Sequence, residues 1–337
     1  MATPCRQWVL ASRPDGKPQP DNFRLEEAEL ADPGAHEVLI AARYISVDPG
    51  MRSRLSADSY AAALQVGEVI EGAMVGEVIA SNHDGFNPGD MVTGGFGWRS
   101  HALSKGRGLV KLDAGLFTGK VGLTAAIGVL GIPGLTSYFG LLDLGKPEAG
   151  DTVLISSAAG PVGATAGQIA KLKGCHVIGI AGSERKCAYV VDELGFDVCL
   201  NYKAVDDLGS AISQHAPDGV DIYFDNVGGE MLDAAITRMK PHGRLIISGA
   251  ISEYNRAEPR GIRNTLHFIT RRLRMEGLVV FDYFKRFTAA QTELASWIQS
   301  GQLKYTEDVS DGLEGAPAAF AGLFDGENFG RRLIKVS

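Results

Sequence analysis

Thr152-Val153-Leu154-Ile155-Ser156-Ser157-Ala158-Ala159-Gly160-Pro161-Val162-Gly163 is the stretch that decides the fold. It opens as an apolar run of strand length. It closes by starting a helical pattern, Gly163-Ala164-Thr165-Ala166-Gly167-Gln168-Ile169-Ala170-Lys171. A strand that passes through a glycine turn into a helix is the setting of a dinucleotide-binding loop. Gly160, without a Cβ, lets a pyrophosphate approach the backbone, and Gly163 lets the helix pack close to the strand. Pro161 suits a first helical turn, where its missing N–H costs nothing, and the helix N-terminus offers N–H groups to phosphate. The first glycine of the usual pattern is replaced by Ala158, so the surroundings must carry the reading.

Those surroundings alternate. From Gly150 onward, apolar runs predict strands over Thr152–Ser157, His176–Ala181, Val198–Tyr202, Val220–Asn226, Arg244–Gly249 and Met275–Phe281. Helical periods between them predict helices over Val162–Lys173, Arg185–Leu194, Asp206–His215, Glu230–Met239 and Arg260–Arg272. That rhythm defines an α/β domain with a doubly wound, parallel Rossmann sheet. A further helix is predicted over Phe284–Ser300, and the tail ends in the strand-like Arg332–Val336. Upstream, residues 35–110 hold short strands separated by turns: Glu37–Tyr44, Gly72–Ala80, and Asn87-Pro88-Gly89-Asp90 leading into Met91-Val92. Such spacing predicts a small all-β barrel. The expected division is a β domain over 1–127, completed by 306–337, and a nucleotide domain over 128–305.

Composition narrows the class. The 337 residues include 43 glycines, nearly twice the average of ~7%. Fourteen of them fall between Gly119 and Gly182, around the loop just described. Proline is unremarkable at 14, so collagen-like and disordered readings fail. A net charge of −7 argues against nucleic-acid or anionic-membrane partners. Four cysteines make no disulfide framework and suggest a reducing, cytoplasmic setting. Val121–Leu142 is uncharged and long enough to span a bilayer, but Gly131-Ile132-Pro133-Gly134 breaks it. Two buried helical pieces joined by a turn are expected there, in a soluble protein.

The strand after the loop selects the dinucleotide. An NAD site wants a carboxylate about 20 residues past the glycines, but the chain reads Ile180-Ala181-Gly182-Ser183-Glu184-Arg185-Lys186. Ser183 can hydrogen-bond a 2′-phosphate and Lys186 can pair with its charge, which points to NADP. Glu184 is awkward here unless it faces elsewhere. Cys5, Cys175, Cys187 and Cys199 form no C-x₂-C pair, and His36-Glu37 has no ligand partner at metal spacing, so no metal is expected. His101, His242 and His267 suggest no catalytic role.

With these pieces in place, the chain resembles the zinc-independent medium-chain dehydrogenase/reductase superfamily. Within it, the likeness is to the leukotriene hydroxydehydrogenase and prostaglandin reductase group and its bacterial curcumin-reductase-like members. The motifs that carry it are Ser46-Val47-Asp48-Pro49, Gly131–Thr136, Gly167–Cys175, Phe224-Asp225-Asn226-Val227-Gly228-Gly229 and Gly249–Asn255. The resemblance implies a GroES-like β domain, NADPH as cofactor, a homodimer, and an enone or enal as small-molecule substrate. It implies cofactor contacts at Gly160, Pro161, Val162 and Gly163, at Lys186, Tyr202 and Asn226, and at Asn328 in the returning tail. It adds Ser248, Gly249, Ala250, Ile251, Ser252 and Tyr254, then Leu278, Val279 and Val280. Two departures stand out. Gly67–Gly72 lacks the Gly-His-Glu of the zinc enzymes, and Gly50 follows Asp-Pro where relatives usually carry Tyr.

The activity so implied is reduction of the C=C bond of α,β-unsaturated ketones and aldehydes. Hydride reaches the β-carbon, charge develops on the carbonyl oxygen as an enolate that a hydrogen-bond donor must stabilise, and a proton from a ribose hydroxyl or water finishes at the α-carbon. Tyr254 is the expected donor, since a phenol is a neutral donor at pH 7; packing on the cofactor is its other reading. Tyr44, Tyr60 and Trp98 are candidate walls of the substrate pocket. A quinone reductase and a catalytically idle NADPH-binding sensor remain as alternatives.

Overall fold

The computed structural model describes residues 2–56 and 62–337. The chain divides into two compact units, Met1–Ile127 with Glu307–Ser337, and Gly128–Thr306.

In the first unit, β1 (Thr3–Leu10) and β2 (Phe23–Leu30) form an antiparallel pair in full register, Thr3 opposite Leu30 and Leu10 opposite Phe23. A larger sheet is built from β3 (Val38–Ser46), β4 (Met74–Ser81), β5 (Met91–Gly94), β6 (His101–Ser104) and β7 (Val110–Lys111). A single helical turn, α1 (Met51–Arg54), follows β3. The predicted strands of this region are present. The β1–β2 pair has no prediction behind it, because its apolar residues do not alternate regularly. Leu10, Ile40, Ile45, Ile70, Trp98 and Phe320 anchor the unit's core.

The second unit opens with α2 (Ile132–Phe139), which continues as a wider turn over Gly140–Gly145. Gly134 is obligatory there: a Cβ would lie 1.7 Å from the Val129 carbonyl oxygen. Together with a short 3₁₀ turn over Leu123–Ile127, α2 resolves the uncharged stretch into short pieces. Among the described residues no helix is long and apolar enough to cross a membrane.

Strands β8 (Thr152–Ser156), β9 (His176–Ala181), β10 (Val198–Asn201), β11 (Val220–Asp225), β12 (Met239–Ile247) and β13 (Arg274–Gly277) then form one sheet. All its pairings are parallel, in the order β10-β9-β8-β11-β12-β13. Between them run α3 (Pro161–Leu172), α4 (Glu184–Asp192), α5 (Leu208–His215), α6 (Gly229–Ile236) and α7 (Leu266–Arg271). Strand order reverses between β8 and β11, the switch point where such sheets bind ligands. The Rossmann reading of the sequence therefore stands.

Two predicted elements are shorter than expected. The helix foreseen over Arg260–Arg272 begins only at Leu266, because carboxylates hold the preceding backbone as a loop. Glu253 accepts the Arg260 N–H and Asp233 accepts the Arg263 N–H. The strand foreseen over Met275–Phe281 ends at Gly277, and Val280–Arg286 turns into 3₁₀ helix. Aromatic packing supports that turn: Tyr283 stacks on Phe139 with ring centroids 4.6 Å apart. Then α8 (Phe287–Ser300) closes the unit.

The tail returns to the first unit as β14 (Glu307–Asp311), α9 (Ala316–Leu323) and β15 (Arg331–Lys335). β15 lies between β14 and β3, giving the order β14-β15-β3-β4-β5-β7, with β6 also on β3. Arg331, almost fully buried, pairs with Asp48 and donates to the Ile127 carbonyl at 2.8 Å. The Ser46 hydroxyl donates to the same carboxylate at 2.7 Å.

Candidate active site

The loop after β8 shows how this sequence manages without the first glycine. The residue in the left-handed region is Ser157, with φ of 53°, so Ala158 needs no conformational freedom. Its methyl group is fully buried, and the space for it comes from the neighbouring strand. A Cβ on Gly179 of β9 would lie 2.8 Å from that of Ala158. Gly163 is needed where it stands, since a Cβ would meet the Ser157 carbonyl oxygen at 2.3 Å and the Ala158 Cα at 2.9 Å. Pro161 takes the first helical position after the Gly160 N-cap.

No side chain caps α3, whereas Ser183 and Asp207 cap α4 and α5. The leading N–H groups of α3, those of Val162 and Gly163 among them, suit a pyrophosphate. The residues fit a bound dinucleotide at this end of the sheet.

After β9, the Ser183 oxygen accepts the Lys186 N–H at 3.3 Å, which fixes the first turn of α4 with both residues on it. Glu184 does face elsewhere: Asn201 at the end of β10 donates to its carboxylate at 2.6 Å. Tyr202, half exposed, lays its ring against Gly182, where a Cβ would meet the ring at 3.1 Å. Lys203 comes to the same place, its Cε 3.5 Å from that Cβ position. Sequence reading passed over this second cation, although it adjoins Tyr202. Cys187 and Cys199 meet thiol to thiol across α4 and β10. That contact lowers the Cys187 pKa and, with burial, raises that of Cys199.

After β11 and β12 the site residues are joined by hydrogen bonds. Asn226 donates through Nδ2 to the Ser156 carbonyl at 2.8 Å and accepts the Ser248 hydroxyl at 2.6 Å. The Gly249 N–H reaches the Asp225 carbonyl, and the Ile251 and Ser252 N–H groups reach those of Asn226 and Val227. Tyr254 folds back over this turn, its phenolic oxygen accepting the Ala250 N–H at 3.1 Å. An accepting lone pair is compatible with donation of the phenol's own proton. Leu278 extends the sheet by one bond to the Ile247 carbonyl at 2.9 Å, followed by exposed Val279 and buried Val280.

The expected contacts of the second unit thus all follow the C-terminal ends of parallel strands. Asn328 belongs to the first unit, where its side chain donates to the Gly330 carbonyl at 3.0 Å. Tyr44 is half-buried on β3 opposite Val75. Tyr60 lies outside the described residues. Trp98 requires a correction: it is 0% exposed, its indole N–H donates to the Ser46 carbonyl at 3.0 Å, and its ring packs on Phe23 and Phe320. It is a core residue with no surface left for a substrate.

Two residues escaped the sequence reading altogether. Ser156 and Asp225 end their strands fully buried. A carboxylate inside a strand covered on both faces was the available signal.

Residues 6–112 match the family described as the N-terminal domain of oxidoreductase, and residues 161–296 the family described as zinc-binding dehydrogenase. Among the described residues no group of three or more His, Cys, Asp or Glu could hold a metal ion. The chain is 43% identical to the NADPH-dependent curcumin reductase of Escherichia coli (strain K12), over 98% of this chain and 97% of that protein. It is 44% identical to prostaglandin reductase 1 of Mus musculus, over 98% of this chain and 99% of that protein. The crystal structure of CurA in complex with NADPH from Vibrio vulnificus matches with a TM-score of 0.92 at 39% identity, over 98% of this chain and 99% of that one.

The fold and these relatives define the chain as an NADP-dependent oxidoreductase of the medium-chain dehydrogenase/reductase superfamily. Within that superfamily it belongs to the leukotriene hydroxydehydrogenase and prostaglandin reductase group, with its bacterial curcumin reductases.

Proposed function

We propose that the chain catalyses NADPH-dependent reduction of the C=C bond of α,β-unsaturated ketones and aldehydes, without a catalytic zinc. The observation that supports it best is the placement of Tyr254 beside the Asn226 and Ser248 cluster, at the C-terminal edge of the sheet. NADPH supplies a hydride when bound. The residues then have three tasks. The first turn of α3 takes the pyrophosphate, and Ser183 with Lys186 takes the 2′-phosphate. Tyr254 donates a hydrogen bond to the substrate's carbonyl oxygen as negative charge gathers there, which lowers the barrier. Asn328 is proposed as a further cofactor contact, and Tyr44 and Tyr60 as substrate contacts.

NADPH consumption followed with a medium-chain enone, with a quinone and without acceptor tests this reading. Turnover on the enone alone is the expected result. Turnover on the quinone alone would place the chain among quinone reductases, and tight NADPH binding without turnover would make it a sensor.

We further propose a cytoplasmic homodimer paired through β13. This strand is one of the two edges of the parallel sheet, and Met275, Val279, Phe281 and Phe284 around it are all at least 39% exposed. An edge strand flanked by apolar side chains is a template for pairing with a second copy. Light scattering on Met275→Lys should show a shift to monomer.

A further inference from the structure

Among the described residues, Asp225 is the one charged residue that is 0% exposed. Its partners are hydrogen-bond donors rather than a neighbouring cation. Oδ1 accepts from the Ser156 hydroxyl at 3.0 Å, the Tyr223 hydroxyl at 2.8 Å, and the N–H groups of Val227 at 2.9 Å and Gly228 at 3.0 Å. Oδ2 accepts from the Gly228 N–H at 3.2 Å. An oxygen that takes two N–H groups and two hydroxyls is acting only as an acceptor. Burial raises its pKa, and those donors offset only part of the rise. Keeping a carboxyl group there is costly, which calls for a reason beyond packing.

The reason lies one residue on. Ser156 relays between Asp225 and Asn226: its Oγ donates to Asp225 and accepts the Asn226 N–H at 2.8 Å. Because the carboxylate takes the hydroxyl's only proton, the lone pair must face Asn226. The Ser156 carbonyl then takes one Nδ2 hydrogen of Asn226, and Ser248 donates to its Oδ1. The amide has a single orientation, and its second Nδ2 hydrogen is available to a ligand at the switch point between β8 and β11.

We infer that Asp225 is a positioning residue for the dinucleotide, acting through the Ser156 hydroxyl on the main-chain N–H of Asn226 to fix the backbone from which the Asn226 side chain reaches the cofactor. The inference rests on the reading of Asn226 as a cofactor contact.

The test is NADPH affinity of the unliganded enzyme, measured by fluorescence, with thermal unfolding run in parallel. Asn226→Ala should raise the Kd about tenfold, the scale of one lost hydrogen bond to the ligand. Ser156→Ala keeps the carboxylate's backbone bonds and both side-chain bonds of Asn226 and cuts only the relay, so it should raise the Kd severalfold, by no more than Asn226→Ala. Asp225→Asn, whose amide oxygen can still accept from Ser156, should raise it less, and each should leave the double variant with Asn226→Ala no weaker than Asn226→Ala alone. A merely structural role would make the effects add. Full NADPH affinity in Ser156→Ala, beside a weakened Asn226→Ala, would overturn the inference. An unaffected Asn226→Ala would instead remove the reading beneath it. Should Asp225→Asn fail to fold, the Ser156 and Asn226 variants decide the matter.

Discussion

Gly163→Ala adds one methyl group at the most confined point of the nucleotide loop. Its Cβ would sit 2.3 Å from the Ser157 carbonyl oxygen and 2.9 Å from the Ala158 Cα. Both obstacles are backbone, so neither can rotate away, and an ordinary carbon–oxygen contact needs ~3.5 Å. The start of α3 must therefore move by roughly 1 Å from the end of β8. Overpacking of this kind costs about 1–3 kcal/mol. For a unit of this size that is a fall in Tm of roughly 2–12 °C. The same displacement carries the first N–H groups of α3 away from the phosphates. Losing one charge-assisted hydrogen bond, worth ~1.5–3 kcal/mol, raises the NADPH Kd at least tenfold. Differential scanning calorimetry and fluorescence titration read the two effects separately. Gly50→Ala is the control, because among the described residues nothing lies within 4 Å of a Cβ there. Wild-type Tm and wild-type NADPH affinity in Gly163→Ala would refute the packing argument. Loss of stability with unchanged affinity would refute the phosphate assignment.

Lys186→Ala should raise KM for NADPH roughly tenfold or more while leaving that for NADH nearly unchanged; equal effects in steady-state kinetics would sink the 2′-phosphate assignment. Tyr254→Phe should lower kcat for an enone by ~10²-fold, at the lower end for a catalytic proton or hydrogen-bond donor; a loss below threefold means that the ring only packs. Asp48 has its pKa lowered: burial opposes ionisation, but Arg331 and Ser46 outweigh it. Its contribution to stability is therefore present above the ordinary carboxylate range and lost as pH falls below about 4. Asp48→Asn should cost roughly 1–3 kcal/mol at pH 7, less than a fully buried pair because 34% of the Asp48 side chain stays exposed. Melting curves from pH 7 to 3 should converge for the two proteins. Gly50→Tyr should leave Tm within ~2 °C, given a φ of −62° and no described residue within 4 Å of a Cβ there, and should raise KM for bulky enones more than for short ones.

Where the sequence could be read well, one kind of physics dominates. Strands β8 and β9 are nearly continuous apolar runs buried along almost their whole length, and their bounding glycines leave little alternative. Legibility fell where tertiary contacts override local preference. The segment before α7 has helical spacing, yet its backbone N–H groups are captured by Asp233 and Glu253. Trp98 has the composition of a pocket wall, and only its neighbours Phe23 and Phe320 reveal a core residue. The site divides in the same way. Gly160, Gly163, Ser183 and Lys186 announce themselves because phosphate chemistry restricts residue type within a short window. Ser156 and Asp225 do not, since their meaning depends on bonds between strands 69 residues apart in sequence.

The position of β15 has a consequence for how the chain is made. It is an inner strand, lying between β14 and β3, and it comes from the last few residues. The second unit is contiguous, so its whole sequence has been synthesised before Glu307 is added. During synthesis, domains fold as units when their sequence becomes available. Here the order of completion inverts the order of the chain: the unit that starts first closes last. Until Lys335 arrives, the Tyr44–Ser46 end of β3 lacks its β15 partner, while its Val38–Ala41 end is already paired with β6. A stop codon before Arg331 would therefore remove an inner strand of the sheet.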